Sequence, residues 1–317
     1  MEEWKEYRYT DLATIIGGGT PKTSVPEYWS GEIPWLSVKD FVSVTKYVYD
    51  TEKYISELGL LNSSTKLLEK NDIVISARGT VGAMAMIPYP MCFNQSCFGL
   101  RGNNIVDKNF LYYLTRTKVD ELRKTAHGSV FDTITRETFD NLRCLVPPLQ
   151  TQQKIGNILS SLDSKIELNK RINDNLEQQA QALFNEMFPH ITEGENMIGD
   201  LIMPKRGKGL LSKNAIKGDI PVVAGGIEPA TYHNQANTTA PVLTIAASGA
   251  NAGYINLWHI PVWASDSSYI DDSITPNVYF WYIMLKKRQK EIFDAQVGSA
   301  QPHIYPKHIA ELPMNVV

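Results

Sequence analysis

The stretch LVPPLQTQQKIGNILSSLDSKIELNKRINDNLEQQAQALFNEMF, residues 145–188, decides the architecture. Pro147 and Pro148 bar an earlier helical start, Thr151 reads as an N-cap, and Pro189 stops the helix after Phe188. Between them Ile155, Leu159, Leu162, Ile166, Asn169, Asn173, Leu176, Ala180, Leu183 and Met187 step by fours and threes without a break. That is the heptad seam of a coiled coil with two asparagines at its centre, a device that fixes register at some cost in stability. A helix over 150–188 would be a rod of roughly 55 Å, at 1.5 Å per residue. Such a helix leaves an apolar stripe in water unless it lies against a partner.

On either side of this segment the chain repeats itself. IVISARGTVG at 73–82 matches LTIAASGANAG at 243–253, NFLYYLTRTKVDEL from Asn109 matches NVYFWYIMLKKRQKEI from Asn277, and GSVFDTITRETFDNL from Gly128 matches GSAQPHIYPKHIAEL from Gly298. Asp11-Leu12 aligns with Asp200-Leu201, and Ile33-Pro34 with Ile220-Pro221. Five matches in one order read as duplication of a single module. The expected fold class is α/β (α+β), with two similar domains at 1–149 and 191–317 and a spacer helix at 150–190. Ile73-Val74-Ile75 and Leu243-Thr244-Ile245 read as buried strands. A helix is expected from Asp107 to about Lys124, with a counterpart capped at Thr275 and carrying Pro276 at its first position.

Composition bounds the function. The 317 residues carry 31 basic and 34 acidic side chains, a net charge of −3, and 43% apolar residues. By segment the net charge is −1 for 1–150, −3 for 151–195 and +1 for 196–317, so no segment is a basic coat. The sequence shows neither a signal peptide at its start nor a run of 18 apolar residues, and the three cysteines are sparse for a secreted scaffold, so a cytoplasmic, non-membrane protein is expected. An Asn/Asp-Pro-Pro-Tyr methyltransferase loop, a Walker pattern and a G-x-S-x-G elbow are all missing from the sequence. GGGTPKT at 17–23 lacks the Gly-Lys-Ser/Thr order of a phosphate cradle and reads as a tight turn needing positive φ; a cryptic nucleotide site there is the enzyme alternative. Pro306 between His303 and His308 argues against a metal pair, and Cys92 and Cys97 read as small core residues, so no metal is expected.

GGGTPKTSVPEYWSGEIPWLSVKDF at 17–41, together with the 145–188 segment, resembles the specificity subunit of type I restriction–modification systems. The resemblance implies two target-recognition domains, each reading one half of a bipartite site on double-stranded DNA. It implies a helix that sets their spacing and docks methyltransferase subunits, with a restriction (motor) subunit joining for cleavage. The chain itself would be non-catalytic and hold no cofactor, S-adenosylmethionine and ATP residing on the partner subunits. Family members carry a second long helix after the second domain, whereas this sequence stops at Val317 soon after Leu312-Pro313; the expectation is a natural truncation or a shortened chain. A truncated regulatory or self-dimerising subunit, pairing through the seam, is the alternative.

Base reading calls for polar or cationic side chains on loops that reach the major groove. The candidates are Thr20, Lys22, Thr23, Lys39, Ser76, Arg78 and Thr80 in the first copy, with Arg78 foremost on the turn that ends a buried strand. In the second copy they are Lys205, Arg206, Lys208, Lys213, Ser248, Asn251, Gln301 and His303.

Overall fold

The computed structural model describes residues 3–42, 44–126, 133–298 and 300–315. Parts of the repeated segments beginning at Gly128 and Gly298, namely 128–132 and 299, lie outside the described residues. The chain divides into two compact units, Met1–Ile172 and Asn173–Val317.

Among the described residues the first unit contains nine strands: β1 (Lys5–Arg8), β2 (Ala13–Gly17), β3 (Ile33–Leu36), β4 (Lys53–Ile55), β5 (Ile73–Ser76), β6 (Met84–Met86), β7 (Cys92–Phe93), β8 (Cys97–Gly102) and β9 (Arg143–Val146). Helices α1 (Tyr9–Leu12), α2 (Val38–Phe41), α3 (Glu57–Leu61), α4 (Lys108–Ala126) and α5 (Arg136–Asn141) intervene. The strands form an antiparallel sheet β2-β8-β5-β6, a mixed sheet β4-β3-β7 and a ribbon β1-β9. The second unit contributes β10 (Asn196–Met197), β11 (Lys205–Arg206), β12 (Ile220–Val223), β13 (Thr231–His233), β14 (Val242–Ala246), β15 (Ile255–Trp258), β16 (Trp263–Ala264), β17 (Ser267–Asp271) and β18 (Pro313–Met314). Its sheets are β11-β17-β14-β15, β13-β12-β16 and β10-β18. The strand orders of the two units are the same. In each, the short Ile-Pro strand pairs antiparallel with the strand after it and parallel with a distant one.

The physical reason for the IVI and LTI strands is burial on both faces. Ile73 and Ile75 enter the core under α4 with Tyr9, Phe110 and Phe139, while Val74 points into a second core with Leu36, Phe41 and Phe93. In the second unit Leu243 and Ile245 pack with Trp281 and Met284, and Val242 packs with Val223 and Val262. Each such side chain contributes about 1.5–3 kcal/mol of transfer free energy. Equivalent caps recur as well. Asp11 accepts from the Arg8 backbone N–H at 3.1 Å and Asp200 from that of Met197 at 2.8 Å.

Helix α6 runs from Leu149 to Met187, 39 residues, and the division between the units falls within it. It starts two residues before Thr151, which therefore lies inside the first turn; the Pro148 carbonyl accepts from the Thr151 N–H at 2.9 Å. In the first unit, Gln152 is buried and ties the Asp107 N–H to the Ile105 and Pro147 carbonyls. Lys46, also buried, reaches Asn109 and Ser160 and lies over the rings of Tyr47, Tyr112 and Tyr113; desolvation lowers its pKa. In the second unit Phe184 is in the core, and Gln181 donates to the Ile283 carbonyl.

The heptad positions divide between these roles. Ile155 and Leu159 pack on the first unit's core, whereas Leu162, Ile166, Leu176 and Leu183 are exposed, as are Asn169 and Asn173. Exposed Ile158 and Ile172 widen the apolar stripe beyond the seam read from the sequence.

The cap expected at Thr275 is corrected too. The helix after Thr275 starts later, as α7 (Val278–Lys287), with Pro276 ahead of its Asn277 cap, because Thr275 Oγ1 accepts from the Asn277 N–H and closes a turn first. Arg288 then separates it from α8 (Gln289–Asp294). The last helix is α9 (Pro306–Ala310).

Candidate nucleic-acid interface

At the end of β5 the chain turns through Ala77–Ala83 into β6. Ser76 builds this turn: its buried hydroxyl donates to the Thr80 carbonyl and accepts from the Ala83 N–H at 3.0 Å. Ser76 therefore shapes the loop from inside, while Arg78 and Thr80 project from it, exposed. Ala77 is fixed on both sides, donating to Ser96 O at 2.8 Å and accepting from the Ile134 N–H at 3.1 Å.

Arg78 and Thr80 line an open cleft of about 460 Å³ together with Lys39 and Ser37 from the start of α2 and Asn94 and Ser96 from the β7–β8 loop. Among the described residues no carboxylate pairs with Arg78 or Lys39. The arrangement presents two cations, three hydroxyls and an amide on one concave surface, the donor and acceptor set that reads base edges and phosphates. Thr20 hydrogen-bonds to Gln95, within the same β7–β8 loop. Lys22 and Thr23 are exposed but do not line the cleft; the Lys22 carbonyl accepts from the Trp29 indole at 3.2 Å.

The glycines at 17–19 are not at positive φ. A Cβ on Gly18 would lie 2.0 Å from the Asn94 carbonyl oxygen, and one on Gly19 would meet Ser64 and Thr65. Glycine is needed there for close approach of backbones rather than for a left-handed turn.

The second unit builds the corresponding turn, Ala247–Tyr254, with the same frame. Ala247 donates to Asp266 O at 3.1 Å and accepts from the Ile304 N–H at 3.0 Å, 170 residues from the bonds of Ala77. Asp266 occupies the place of Ser96, and its carboxylate accepts from Ser248 Oγ and from Arg206 Nη2. Gly249 N–H donates to the Pro302 carbonyl at 3.0 Å, and Ser248 bridges to His303, so the turn and the 301–303 segment are joined. The His303 ring stacks on Tyr305. Arg206, Ser248 and His303 are thus brought together; Asn251 lies farther along the same turn, and Gln301, two residues before His303, is exposed. Lys205, Lys208 and Lys213 are exposed; Lys208 contributes its carbonyl to the Trp263 indole at 2.8 Å. His308 caps α9, accepting from the Tyr305 N–H through Nδ1 at 3.3 Å. Among the described residues no group of three or more metal-ligating side chains occurs.

Ser37, Asn94, Ser96 and Asp266 were not among the candidates drawn from the sequence. The 170-residue offset relates Ser96 to Asp266, so extending the repeat alignment past the Ser-x-Gly turn would have marked both.

Residues 1–178 match the family model described as type I restriction modification DNA specificity domain. The chain belongs to this family. As a specificity-domain protein it is 31% identical over 191 residues to the type I restriction enzyme MjaIX specificity subunit of Methanocaldococcus jannaschii, covering 59% of this chain and 44% of that protein. It is also 31% identical over 170 residues to the EcoR124I/EcoR124II specificity subunit of Escherichia coli, covering 51% of this chain and 41% of that one. The match thus spans less than half the length of either relative. The crystal structure of a type I restriction-modification S subunit from M. genitalium superposes with a TM-score of 0.58 at 20% identity, over 99% of this chain and 84% of that chain, so the specificity-domain fold is shared throughout. Among the described residues no helix is long and apolar enough to cross a membrane.

Proposed function

We propose that this chain is the DNA sequence-recognition subunit of a type I restriction–modification complex, each unit reading one half of a bipartite double-stranded target. The observation that carries the reading is Arg78: an exposed guanidinium, without a carboxylate partner among the described residues, at the tip of a turn whose base is fully buried, facing a cleft shared with Lys39, Thr80 and Asn94. An Arg so placed can donate two parallel hydrogen bonds to guanine O6 and N7.

Catalysis belongs to partners in this reading. Methyltransferase subunits supply S-adenosylmethionine chemistry, a restriction (motor) subunit supplies ATP-driven cleavage, and the assembly works in the cytoplasm. The exposed stripe Leu162, Ile166, Leu176 and Leu183 on α6 supports docking of those subunits by the helix that sets the half-site gap. The same stripe also favours a second reading, in which two copies of the chain pair through α6; light scattering that returns only monomers at every concentration excludes that version.

The test is selection from randomised DNA duplexes by the chain assembled with its methyltransferase subunits. A bipartite motif is expected, and Arg78→Ala should relax one half of it at a cost of about 1–3 kcal/mol. Uniform weakening on all sequences would reduce Arg78 to a phosphate contact. Methyl transfer by the isolated chain would overturn the non-catalytic assignment.

A further inference from the structure

The two turns share a feature that sequence alignment does not bring into register. In the first, Gly82 stands at φ 81° and its N–H closes on the Ser76 carbonyl at 3.0 Å; in the second, Gly253 stands at φ 89° and closes on Ala246 at 2.7 Å. Both glycines hold the left-handed conformation that other residues adopt only with strain. The carbonyl just before each glycine points away from the turn's own hydrogen bonds and is taken by a side chain from the helical segment that follows. Arg123 of α4 donates from Nε to Val81 O at 2.9 Å, and Gln296, just after α8, donates from Nε2 to Ala252 O at 2.7 Å. The pairs are offset by 173 residues on the donor side and 171 on the acceptor side. Different residue types in different helical settings thus perform one task.

The space around these donors is tight. A Cβ on Gly82 would come within 2.6 Å of Val119 Cγ1 and 3.2 Å of Arg123 Nε, and one on Gly253 within 2.9 Å of Ile292 Cγ2. The helix therefore seats directly on each glycine, and the donated hydrogen bond fixes the rotation of the peptide behind it. Arg123 also meets Asp120 at 3.6 Å, but that pair is exposed and contributes little. A hydrogen bond to a single peptide, at the surface for Arg123 and half-buried for Gln296, holds the tip in one orientation, and base discrimination depends on such fixed placement.

We infer that Arg123 and Gln296 are positioning residues for sequence recognition, each holding the tip of its own unit's turn: Arg78 and Thr80 in the first unit, Ser248 and Asn251 in the second. This rests on the reading of those turns as base readers. Neither residue touches DNA in this scheme; each acts through the carbonyl it holds.

The experiment is the same duplex selection, run on the full chain assembled with methyltransferase subunits, for Arg123→Ala, Arg123→Gln, Gln296→Ala and Arg78→Ala, with thermal unfolding of each. Arg123→Ala should lower discrimination about tenfold in the half-site that Arg78→Ala relaxes and leave the other half intact. Gln296→Ala should do the converse. Arg123→Gln, which keeps a donor of the kind the second unit uses, should retain most of the wild-type preference. If Arg78→Ala relaxes its half-site and Arg123→Ala does not, the positioning role is overturned while the base-reading assignment stands. If Arg78→Ala changes no preference, both fall. A lower melting temperature with unchanged motifs, or equal relaxation of both half-sites by Arg123→Ala, makes the bond merely structural and overturns the inference.

Discussion

The guanidinium of Arg206 donates to the carboxylate of Asp266 at 2.7 Å. The same carboxylate accepts from Ser248, so a cation on the surface proposed to read DNA is held by an anion beside it. Both members of the ion pair are about two-fifths exposed, so the pair itself should be worth less than about 1 kcal/mol. Asp266→Ala is expected to free Arg206 for a phosphate. The plot of log affinity against log salt should then steepen by about 0.9, one counterion's worth. Fluorescence anisotropy on a labelled duplex at several salt concentrations checks it, and an unchanged slope contradicts it.

The first unit's core predicts where stability is concentrated. Phe139 is fully buried, in contact with the rings of Tyr9 and Phe98. Phe139→Ala should cost about 3–5 kcal/mol through lost burial and the cavity left behind. Urea unfolding followed by circular dichroism measures this; a loss under 1 kcal/mol, roughly the scale of a surface substitution, would contradict the packing described.

Gly18 separates close approach from backbone conformation. Its φ is ordinary, but a methyl group would collide with the Asn94 carbonyl at 2.0 Å. Gly18→Ala should therefore destabilise the protein by about 1–3 kcal/mol through overpacking. Because Asn94 lines the cleft, the displacement should also weaken DNA binding. Paired denaturation and anisotropy measurements check both effects.

The thiols give a pH dependence of definite sign. Burial pushes Cys97 up to about 12 and Cys92 up to about 11, from an ordinary value near 9. The folded state keeps both protonated where the unfolded chain would ionise. Their contribution is therefore complete below pH 9 and is lost as pH rises towards 11–12. By pH 11 each thiol should have removed about 2 kcal/mol of stability. Denaturant midpoints at pH 8, 9 and 10 check the trend, which the Cys92→Ala/Cys97→Ala double variant should flatten. At pH 8 neither thiol should react with a disulfide reagent until the protein unfolds.

What could be read from the sequence was periodic or repeated. The IVI and LTI strands, the helix read at 150–188 and the duplicated order all follow from apolar spacing and self-similarity, signals that survive without knowledge of contacts. The residues missed act through tertiary placement. Asn94 and Ser96 sit in a loop with no local signature, and Asp266 matters because of the Arg206 and Ser248 it gathers from a distant strand and turn. Ser76 was read as a base contact because its turn was recognised but its direction was not; it ends the buried strand with its hydroxyl taken up by the turn's own backbone, whereas Arg78 lies past the strand end and is exposed. Gly18 and Gly19 suggested a turn because glycine signals both left-handed backbone and close packing, and only the neighbouring chain distinguishes the two. The seam of α6 was found, but periodicity alone did not reveal which of its positions each unit would cover.

The bonds that hold Ala77 and Ala247 join backbone atoms only, and they recur at equivalent places although the tip is Arg-Gly-Thr in one turn and Ser-Gly-Ala-Asn in the other. A scaffold anchored this way is indifferent to the identity of what it displays, even to one inserted residue. On the proposed reading, new target preferences arise by exchanging a few tip side chains without refolding the unit, and each unit drifts independently of its twin. Swapping the two tips between turns should transplant preference along with them.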